Sequence, residues 1–229
     1  MPVLPVRARL DAALLTRPPR LLHALLPGCE WTAPTQNKAA RPALYLTFDD
    51  GPIPDETPWV LAQLARYNAR ATFFCVGENL ARHSAIARAA LAAGHHLGNH
   101  THCHRSAWAT PRPAYLADVA ACQAELARLQ PQPVAQPSLP LFRPPFGRLT
   151  WPLLAALRPS YRVVMWSVLT RDYDPGLSPE GCLRFTLAAA RPGDVLVFHD
   201  SRKAGPRLRF VLPRVLAHFA EQGFDFLPL

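Results

Sequence analysis

The chain has 229 residues, of which 49% are hydrophobic and 18% are charged, and this suits one globular domain or at most two small ones. The formal net charge is +9, and all the basic residues except Lys38 and Lys203 are arginines. The arginines are scattered rather than clustered, so we expect no nucleic-acid partner. A weak attraction to anionic polymers or to a cell-envelope surface stays open.

The cysteines and the apolar runs exclude several further classes of protein. The five cysteines are widely spaced, and no C-x-x-C pair occurs, so neither a disulfide framework nor a zinc ribbon is indicated. No apolar run reaches the length of a membrane-spanning helix. The basic, proline-broken N-terminus is a poor signal-peptide core, which favours a cytoplasmic location.

Residues 1–41 are interpreted as an N-terminal extension and linker, and residues 42–229 as one domain. In this domain short apolar runs alternate with helical patterns. The apolar runs predict strands at Ala43–Phe48, Ala71–Val76, His95–Asn99, Leu141–Arg143, Tyr161–Trp166, Asp194–His199 and Phe224–Leu227. The helical patterns predict helices at Thr57–Tyr67, Ser84–Ala93, Pro113–Leu129, Ser178–Ala190 and Leu208–Gln222. Residues 130–140 are proline-rich and predict an extended loop.

Strands that alternate with helices predict a parallel α/β sheet, open or closed into a barrel. In such a barrel the chemistry lies at the carboxyl ends of the strands. The polar residues with reactive side chains fall at or just after predicted strands, namely Asp49, Asp50, His100, Arg143, Asp172 and His199. We therefore expect them to meet at one end of the sheet.

The adjacent carboxylates Asp49 and Asp50 follow the first predicted strand and precede Gly51 and Pro52. Two like charges so close repel, so one pKa must rise unless a cation binds beside them. An ordinary acidic turn is the alternative, because Asp and Gly are common turn residues.

His100 and His104 are four residues apart, so on a helical turn both imidazoles would face the same side. Together with a carboxylate from another strand end they would form a metal site with open positions, as a hydrolytic metal requires. A histidine-rich loop without a metal is the alternative. His102 and Cys103, which lie between the two ligands, are interpreted as outside the ligand set.

Three further strings contain candidate residues. In the first, Arg143 precedes two prolines, Phe146 and a glycine, so that the Phe146 N–H is exposed at a sharp turn and could stabilise an oxyanion. In the others, Asp172 follows one predicted strand and His199 ends the next. Asp172 could hold one ring nitrogen of His199 while the other donates a proton. A structural strand-end histidine is the alternative for His199.

These strings, in this chain order, resemble the signatures of the polysaccharide deacetylase family, which is carbohydrate esterase family four with its NodB-like homology domain. The signatures T-F-D-D-G-P, H-[ST]-x-x-H, R-x-P-[YF]-G, D-x-x-D-W and L-x-x-H correspond to Thr47–Pro52, His100–His104, Arg143–Gly147, Leu169–Tyr173 and Leu196–His199. The resemblance spans residues 44–227 and implies a distorted, TIM-barrel-like (β/α)7 barrel of parallel strands with outer helices.

The resemblance also implies a role for each matching residue. Asp50, His100 and His104 would hold a divalent metal, usually Zn2+, with Co2+, Ni2+ or Mn2+ as alternatives. Asp49, oriented by Arg143, would be the general base that activates a metal-bound water. His199, tuned by Asp172, would be the general acid, and Phe146, Tyr173 and Leu196 would contact the substrate or its oxyanion.

Two positions depart from the family pattern. Leu169 replaces the first aspartate of the fourth signature, and Tyr173 replaces its tryptophan, which leaves an aromatic wall for an acetyl methyl group. The resemblance implies removal of N-acetyl groups from an amino-sugar polymer or oligosaccharide. We also expect the protein to be a monomer. An O-acetyl esterase, a hydrolase of non-sugar amides and an inactive carbohydrate-binding homologue are the alternatives. Such substrates favour the cell envelope, against the cytoplasmic location that the N-terminus favours.

Overall fold

The computed structural model describes residues 16–129 and 139–229. Residues 130–138 of the predicted loop lie outside the described residues. Residues 1–15 of the predicted N-terminal extension also lie outside them. Among the described residues, no helix combines the length and the apolar character needed to cross a membrane.

One sheet of eight short strands forms the centre of the protein. The strands are β1 (Ala43–Asp49), β2 (Thr72–Cys75), β3 (His96–Asn99), β4 (Leu141–Phe142), β5 (Arg162–Val163), β6 (Val168–Leu169), β7 (Val195–His199) and β8 (Asp225–Phe226). The helices are α1 (Arg20–Leu25), α2 (Thr57–Ala65), α3 (Gly77–Arg82), α4 (Ser84–Ala92), α5 (Arg112–Leu129), α6 (Trp151–Leu157), α7 (Pro179–Ala189) and α8 (Gly205–Glu221). A single 3-10 turn spans Pro145–Gly147.

The strand order is β5-β4-β3-β2-β1-β7-β6, with β8 beside β1, and every paired strand is parallel to its neighbour. The helices pack on the outer face of this curled, incomplete barrel. The predicted fold class, a distorted parallel (β/α)7 barrel, is confirmed. All strand carboxyl ends therefore meet at one rim.

Successive side chains of β1 alternate between the face of the sheet that packs against the helices and the inner face of the barrel. Leu44, Leu46 and Phe48 are fully buried in the cluster between the sheet and the helices. Each such side chain contributes roughly 1.5–3 kcal/mol when it is fully buried. Tyr45 lies in the cluster on the inner face, so Asp49, an even number of residues further, also faces inward.

The described part of the predicted N-terminal extension contacts the barrel. Glu30 forms a parallel bridge with Val164, and Thr32 forms an antiparallel bridge with Asp194. The Glu30 carboxylate also accepts two hydrogen bonds from Arg162, at 2.8 and 2.7 Å. Residues 30–32 therefore contact the chain just beyond β5 and just before β7.

Several predicted boundaries are wrong. The strand predicted at Tyr161–Trp166 is only Arg162–Val163, and Val168–Leu169 is an additional strand, so Asp172 follows the sixth strand rather than the fifth. A two-residue strand is too short to show the alternation on which the prediction depends. Helices α3 and α6 were not predicted, because each has only six or seven residues and no side-chain cap.

Candidate active site

Asp50, His100 and His104 come together at the rim, and their candidate ligand atoms all lie within 4.8 Å of one another. His104 Nε2 is 3.3 Å from Asp50 Oδ1, and His100 Nε2 is 4.0 Å from the same oxygen. The predicted grouping of these three side chains is therefore present, with one carboxylate and two imidazoles facing a common point.

His100 has the tautomer and charge that a metal ligand needs. Its Nδ1–H donates to the carbonyl oxygen of Arg143 at 2.8 Å, which leaves the lone pair of Nε2 directed toward Asp50. Burial, reinforced by the neighbouring His104, lowers the pKa of His100 to about 3, so the ring is neutral at physiological pH. Two imidazole nitrogens and a carboxylate form a donor set that fits Zn2+.

The loop from His100 to His104 is not helical, so the spacing of four residues does not bring the two imidazoles together in the way that a helical turn would. Thr101 and His104 have φ angles of 63° and 53°, and Asp50 has φ 86°. Non-glycine residues in this left-handed region cost of order 1–3 kcal/mol each and persist only where the surrounding structure holds them. The two histidines face the same point because the loop folds back on itself.

Side chains from neighbouring elements hold this loop in place. The Asp118 carboxylate, on α5, accepts hydrogen bonds from the backbone N–H groups of His102 and Cys103, both at 3.2 Å. The Asn99 side chain accepts a hydrogen bond from the Thr101 N–H at 2.9 Å. Both contacts fix the backbone between the two histidine ligands. Sequence reasoning missed Asp118 because its partners lie fifteen and sixteen residues away.

Arg143 and Asp49 form a buried ion pair inside the barrel. The guanidinium, whose side chain is fully buried, donates from Nη1 to Asp49 Oδ1 at 2.8 Å and to Thr47 Oγ1 at 2.7 Å. Nη2 donates to the carbonyl oxygen of Met165 at 2.8 Å, and the guanidinium carbon lies 4.1 Å from the centre of the Phe74 ring. These contacts fix Arg143 and, through it, one oxygen of Asp49.

His199 and Asp172 form a second pair, in which Asp172 is fully buried and His199 is partly buried. His199 Nδ1–H donates to Asp172 Oδ1 at 2.8 Å, and the His199 backbone N–H donates to Oδ2 at 2.8 Å. Burial alone would lower the pKa of His199, but Asp172, with smaller contributions from Asp50 and Asp49, raises it to about 9. His199 is therefore protonated at neutral pH, with its Nε2–H directed away from Asp172.

Two aromatic residues from the sequence prediction lie beside the histidines. The Tyr173 ring contacts the His199 ring edge-on, with centroids 4.9 Å apart. The Phe146 ring contacts His104 in the same way at 4.6 Å, and Phe146 has φ 60°. The structure thus places Phe146 and Tyr173 next to a metal-ligand candidate and the candidate acid, respectively.

Leu196 does not lie at this site, in contrast to the prediction. Its side chain is fully buried in the cluster between the sheet and the helices. Residues an odd number apart on a strand face opposite sides, so Leu196 points away from His199, whereas Val197 shares its face. Val197 pairs with Leu169 of β6, and these two apolar residues therefore lie on the inner face.

Asp200 is a site residue that sequence reasoning missed. Its buried carboxylate accepts hydrogen bonds from the Gly51 N–H at 3.0 Å and the Thr57 hydroxyl at 2.5 Å. Its own N–H donates to the Asp49 carbonyl oxygen at 3.2 Å. Burial, opposed by the Thr57 hydrogen bond and assisted by Asp50, raises its pKa to about 8. Its position directly after β7 follows the strand-end rule and could have identified it.

An open cavity of about 380 Å³ lies beside Asp50 and extends the rim outward. Its lining includes three basic residues, Arg82, His83 and Arg202, together with Asp50 and the neutral Asn79. This side of the site is therefore wide enough for part of an extended substrate and carries positive charge.

The family model described as polysaccharide deacetylase matches residues 36–159. A peptidoglycan-N-acetylglucosamine deacetylase from Bacillus cereus is 30% identical over 201 residues, which cover 86% of this chain and 89% of the relative. A chitooligosaccharide deacetylase from Rhizobium leguminosarum bv. phaseoli is 34% identical over 185 residues, which cover 75% of this chain and 74% of the relative.

The fold is likewise similar to a solved structure. The crystal structure of the Bc1960 peptidoglycan N-acetylglucosamine deacetylase superimposes with a TM-score of 0.75 and 27% identity, and covers 91% of this chain and 94% of that chain. Asp172 and His199 lie beyond the residues matched by the family model, yet the barrel brings them to the same rim as Asp49. The chain therefore belongs to the polysaccharide deacetylase family and is a hydrolase of that type.

Proposed function

We propose that this protein is a divalent-metal-dependent N-deacetylase that acts on an amino-sugar polymer or oligosaccharide. One observation supports this most strongly: Asp49 and His199 are directly paired in adjacent strands, beside the Asp50, His100 and His104 group. A candidate base and a candidate acid therefore lie on neighbouring strand ends next to a candidate metal site, as amide hydrolysis requires.

Asp50, His100 and His104 would hold the metal. When bound, the ion would act as a Lewis acid on the acetyl carbonyl and lower the pKa of a water molecule. Zn2+ suits two imidazoles and one carboxylate, and Co2+, Ni2+ and Mn2+ are alternatives that the same donors accept. The neutral state of His100 supports this assignment, because a protonated imidazole has no lone pair to offer.

Asp49 accepts the proton of the attacking water in this mechanism. Arg143 holds one carboxylate oxygen at 2.8 Å and so leaves the other oxygen for the water. Because Arg143 is fully buried and held by Thr47 and Met165 as well, it is a positioning residue that sets the direction of the base.

His199 donates a proton to the nitrogen of the leaving amine. An amine is a poor leaving group unless it is protonated, and the raised pKa of His199, about 9, keeps the ring charged before the reaction. Asp172 accepts the hydrogen bond from Nδ1–H and so orients the charged ring with its Nε2–H free for the substrate. The Phe146 N–H stabilises the oxyanion of the tetrahedral intermediate, and Tyr173 contacts the acetyl methyl group.

The substrate proposal comes from the relatives. One is named for the N-acetylglucosamine of peptidoglycan and the other for chitooligosaccharides, so N-acetylglucosamine in a glycan is the shared unit. The same arrangement could hydrolyse an O-acetyl ester or a non-sugar amide. A carbohydrate-binding homologue without activity would need neither the Arg143–Asp49 pair nor the Asp172–His199 pair.

The test is acetate release by purified protein loaded with Zn2+ or Co2+. We expect release from N-acetylglucosamine oligomers, loss of release after chelation, and recovery on adding metal back. An O-acetylated glycan without N-acetyl groups and a non-sugar N-acetyl amide serve as the comparison substrates. Faster release from either of these would favour the corresponding alternative, and absence of release from all of them would favour the inactive homologue.

A further inference from the structure

Two exposed aromatic rings and one arginine form a surface beside the candidate metal site, which we name the aromatic platform (Trp108, Phe146 and Arg148). Trp108 and Phe146 are 67% and 59% exposed, among the most exposed large hydrophobic residues of the described chain. The Arg148 guanidinium lies 5.1 Å from the Trp108 ring centre and 5.4 Å from the Phe146 ring centre. Through the Phe146–His104 contact the platform continues directly from the metal site.

The platform is held by buried neighbours although its rings are exposed. Trp108 Nε1–H donates to the Leu149 carbonyl oxygen at 3.3 Å. Ala107 and Leu149, each adjacent in sequence to a platform residue, are only 4% and 7% exposed and belong to one buried cluster. Because leaving a large apolar side chain in water forgoes roughly 1.5–3 kcal/mol, two such rings on a fixed backbone indicate a contact surface.

The charge of Arg148 is available to a ligand. Within residues 16–129 and 139–229, Arg148 forms no ion pair, whereas Arg82 and Arg105 each pair with a carboxylate. An arginine is always charged, and its planar fork matches a carboxylate with two parallel hydrogen bonds. The net charge of +9 and the basic lining of the cavity beside Asp50 add to the attraction for an anionic chain.

We propose that the aromatic platform is a subsite for the sugar next to the reacting N-acetylglucosamine, and that it prefers a pyranose bearing a carboxylate. This inference rests on the proposed function. The apolar C–H face of a pyranose stacks on Trp108 and Phe146, and the carboxylate accepts hydrogen bonds from Arg148. The occupant is therefore an acidic glycan, such as one that alternates N-acetylglucosamine with N-acetylmuramic acid, in preference to a neutral chitin-like chain.

Binding to zinc-loaded protein tests the subsite without turnover when the Asp49→Asn substitution is present in every sample. Calorimetry compares a neutral N-acetylglucosamine tetramer with a tetramer that alternates N-acetylglucosamine and N-acetylmuramic acid. We expect Kd for the acidic tetramer to be about threefold to tenfold lower, which corresponds to roughly 0.6–1.4 kcal/mol. Arg148→Gln removes this difference, and Trp108→Ala weakens the binding of both tetramers.

Arg184→Gln is the matched control, because it removes the same charge from above another ring, Phe185, on α7. We expect this control to keep the full preference for the acidic tetramer. Equal affinity of the Asp49→Asn protein for both tetramers, or a preference that survives Arg148→Gln, would overturn the inference. Acetate release by the wild-type enzyme is measured separately, so that failure of the proposed function is seen as lack of turnover and not as lack of preference.

Discussion

Asp49 and His199 are directly opposite each other in the ladder between β1 and β7, and each is the last residue of its strand. Each also has a buried partner of opposite charge, since Arg143 holds Asp49 and Asp172 holds His199. The Asp172 carboxylate raises the pKa of His199 to about 9, so a protonated imidazolium lies beside the Asp49 side chain. A candidate base and a candidate acid are therefore adjacent on one rim of the barrel.

The first prediction concerns the metal ligands. His100→Ala and His104→Ala each remove one of the three donors, so we expect the stoichiometry of bound Zn2+ to fall well below that of the wild type, because two donors hold zinc poorly. The measurement is metal content after dialysis against a weak chelator. His96→Ala is the control, because His96 is exposed and faces the Leu229 carbonyl oxygen. Unchanged zinc content in both ligand variants would point to another metal site.

The second prediction concerns pH. Because the pKa of His199 is raised from 6.5 to about 9, the acid form is present at neutral pH and is lost as pH rises through the raised value. We expect kcat to fall along an alkaline limb. In metal-loaded enzyme this limb lies below 9, because the cation offsets the charge of Asp50. The stabilisation from the Asp172 pair is full below pH 6.5 and is lost as pH rises through the folded pKa.

Asp172→Asn distinguishes titration of His199 from a general loss of protein stability at high pH. The substitution removes the charge that contributes most to raising the pKa of His199, so the alkaline limb of kcat should move to lower pH. Thermal unfolding over the same pH range provides the control. An alkaline limb that stays in place in this variant would show that another group titrates there.

The third prediction concerns the buried Arg143–Asp49 pair. Arg143→Met leaves the Asp49 carboxylate buried without its cation, and loss of one partner from such a pair typically costs roughly 3–5 kcal/mol of unfolding free energy. Urea unfolding measures this cost. Arg162→Met is the matched control, because its pair with Glu30 is about one-third exposed and should contribute below about 1 kcal/mol. Similar costs for both variants would contradict a special role for burial at Arg143.

The fourth prediction follows from the position of Leu196 in the core between the sheet and the helices. Leu196→Ala creates a cavity there, so we expect a loss of about 2–5 kcal/mol of unfolding free energy with kcat/KM nearly unchanged for the folded protein. Val197→Ala, on the face shared with His199, should raise KM at a smaller cost in stability. A selective loss of kcat/KM in Leu196→Ala would restore the original prediction that Leu196 contacts substrate.

The sequence predicted the sheet and the rim well because both depend on local patterns. Apolar runs such as Ala43–Phe48 identify buried strands, and the strand-end rule placed Asp49, His100 and His199 together. The sequence also contained the information that Leu196 and His199 face opposite sides of the strand, because they are three residues apart. The L-x-x-H signature indicated Leu196 as a substrate contact, whereas the alternation along the strand indicates Val197. The prediction for Leu196 was therefore wrong.

Other features could not be read from the sequence because they depend on distant partners. The loop between His100 and His104 is fixed by the side chains of Asp118 and Asn99 rather than by helical hydrogen bonds. The Arg143 guanidinium donates four hydrogen bonds. Two go to side chains of β1, and two go to backbone carbonyl oxygens of the chain that follows β5. Such contacts exist only once the sheet has formed.

We propose that the neighbouring carboxylates have different tasks, Asp50 in metal binding and Asp49 in proton transfer. The most direct test measures zinc content and acetate release from N-acetylglucosamine oligomers in the same samples of wild-type and Asp49→Asn protein. We expect the variant to keep its zinc and to lose acetate release by at least about a hundredfold, the lower end for a general base. Acetate release that is unaffected by the substitution, or that falls only in step with lost zinc, would contradict the claim.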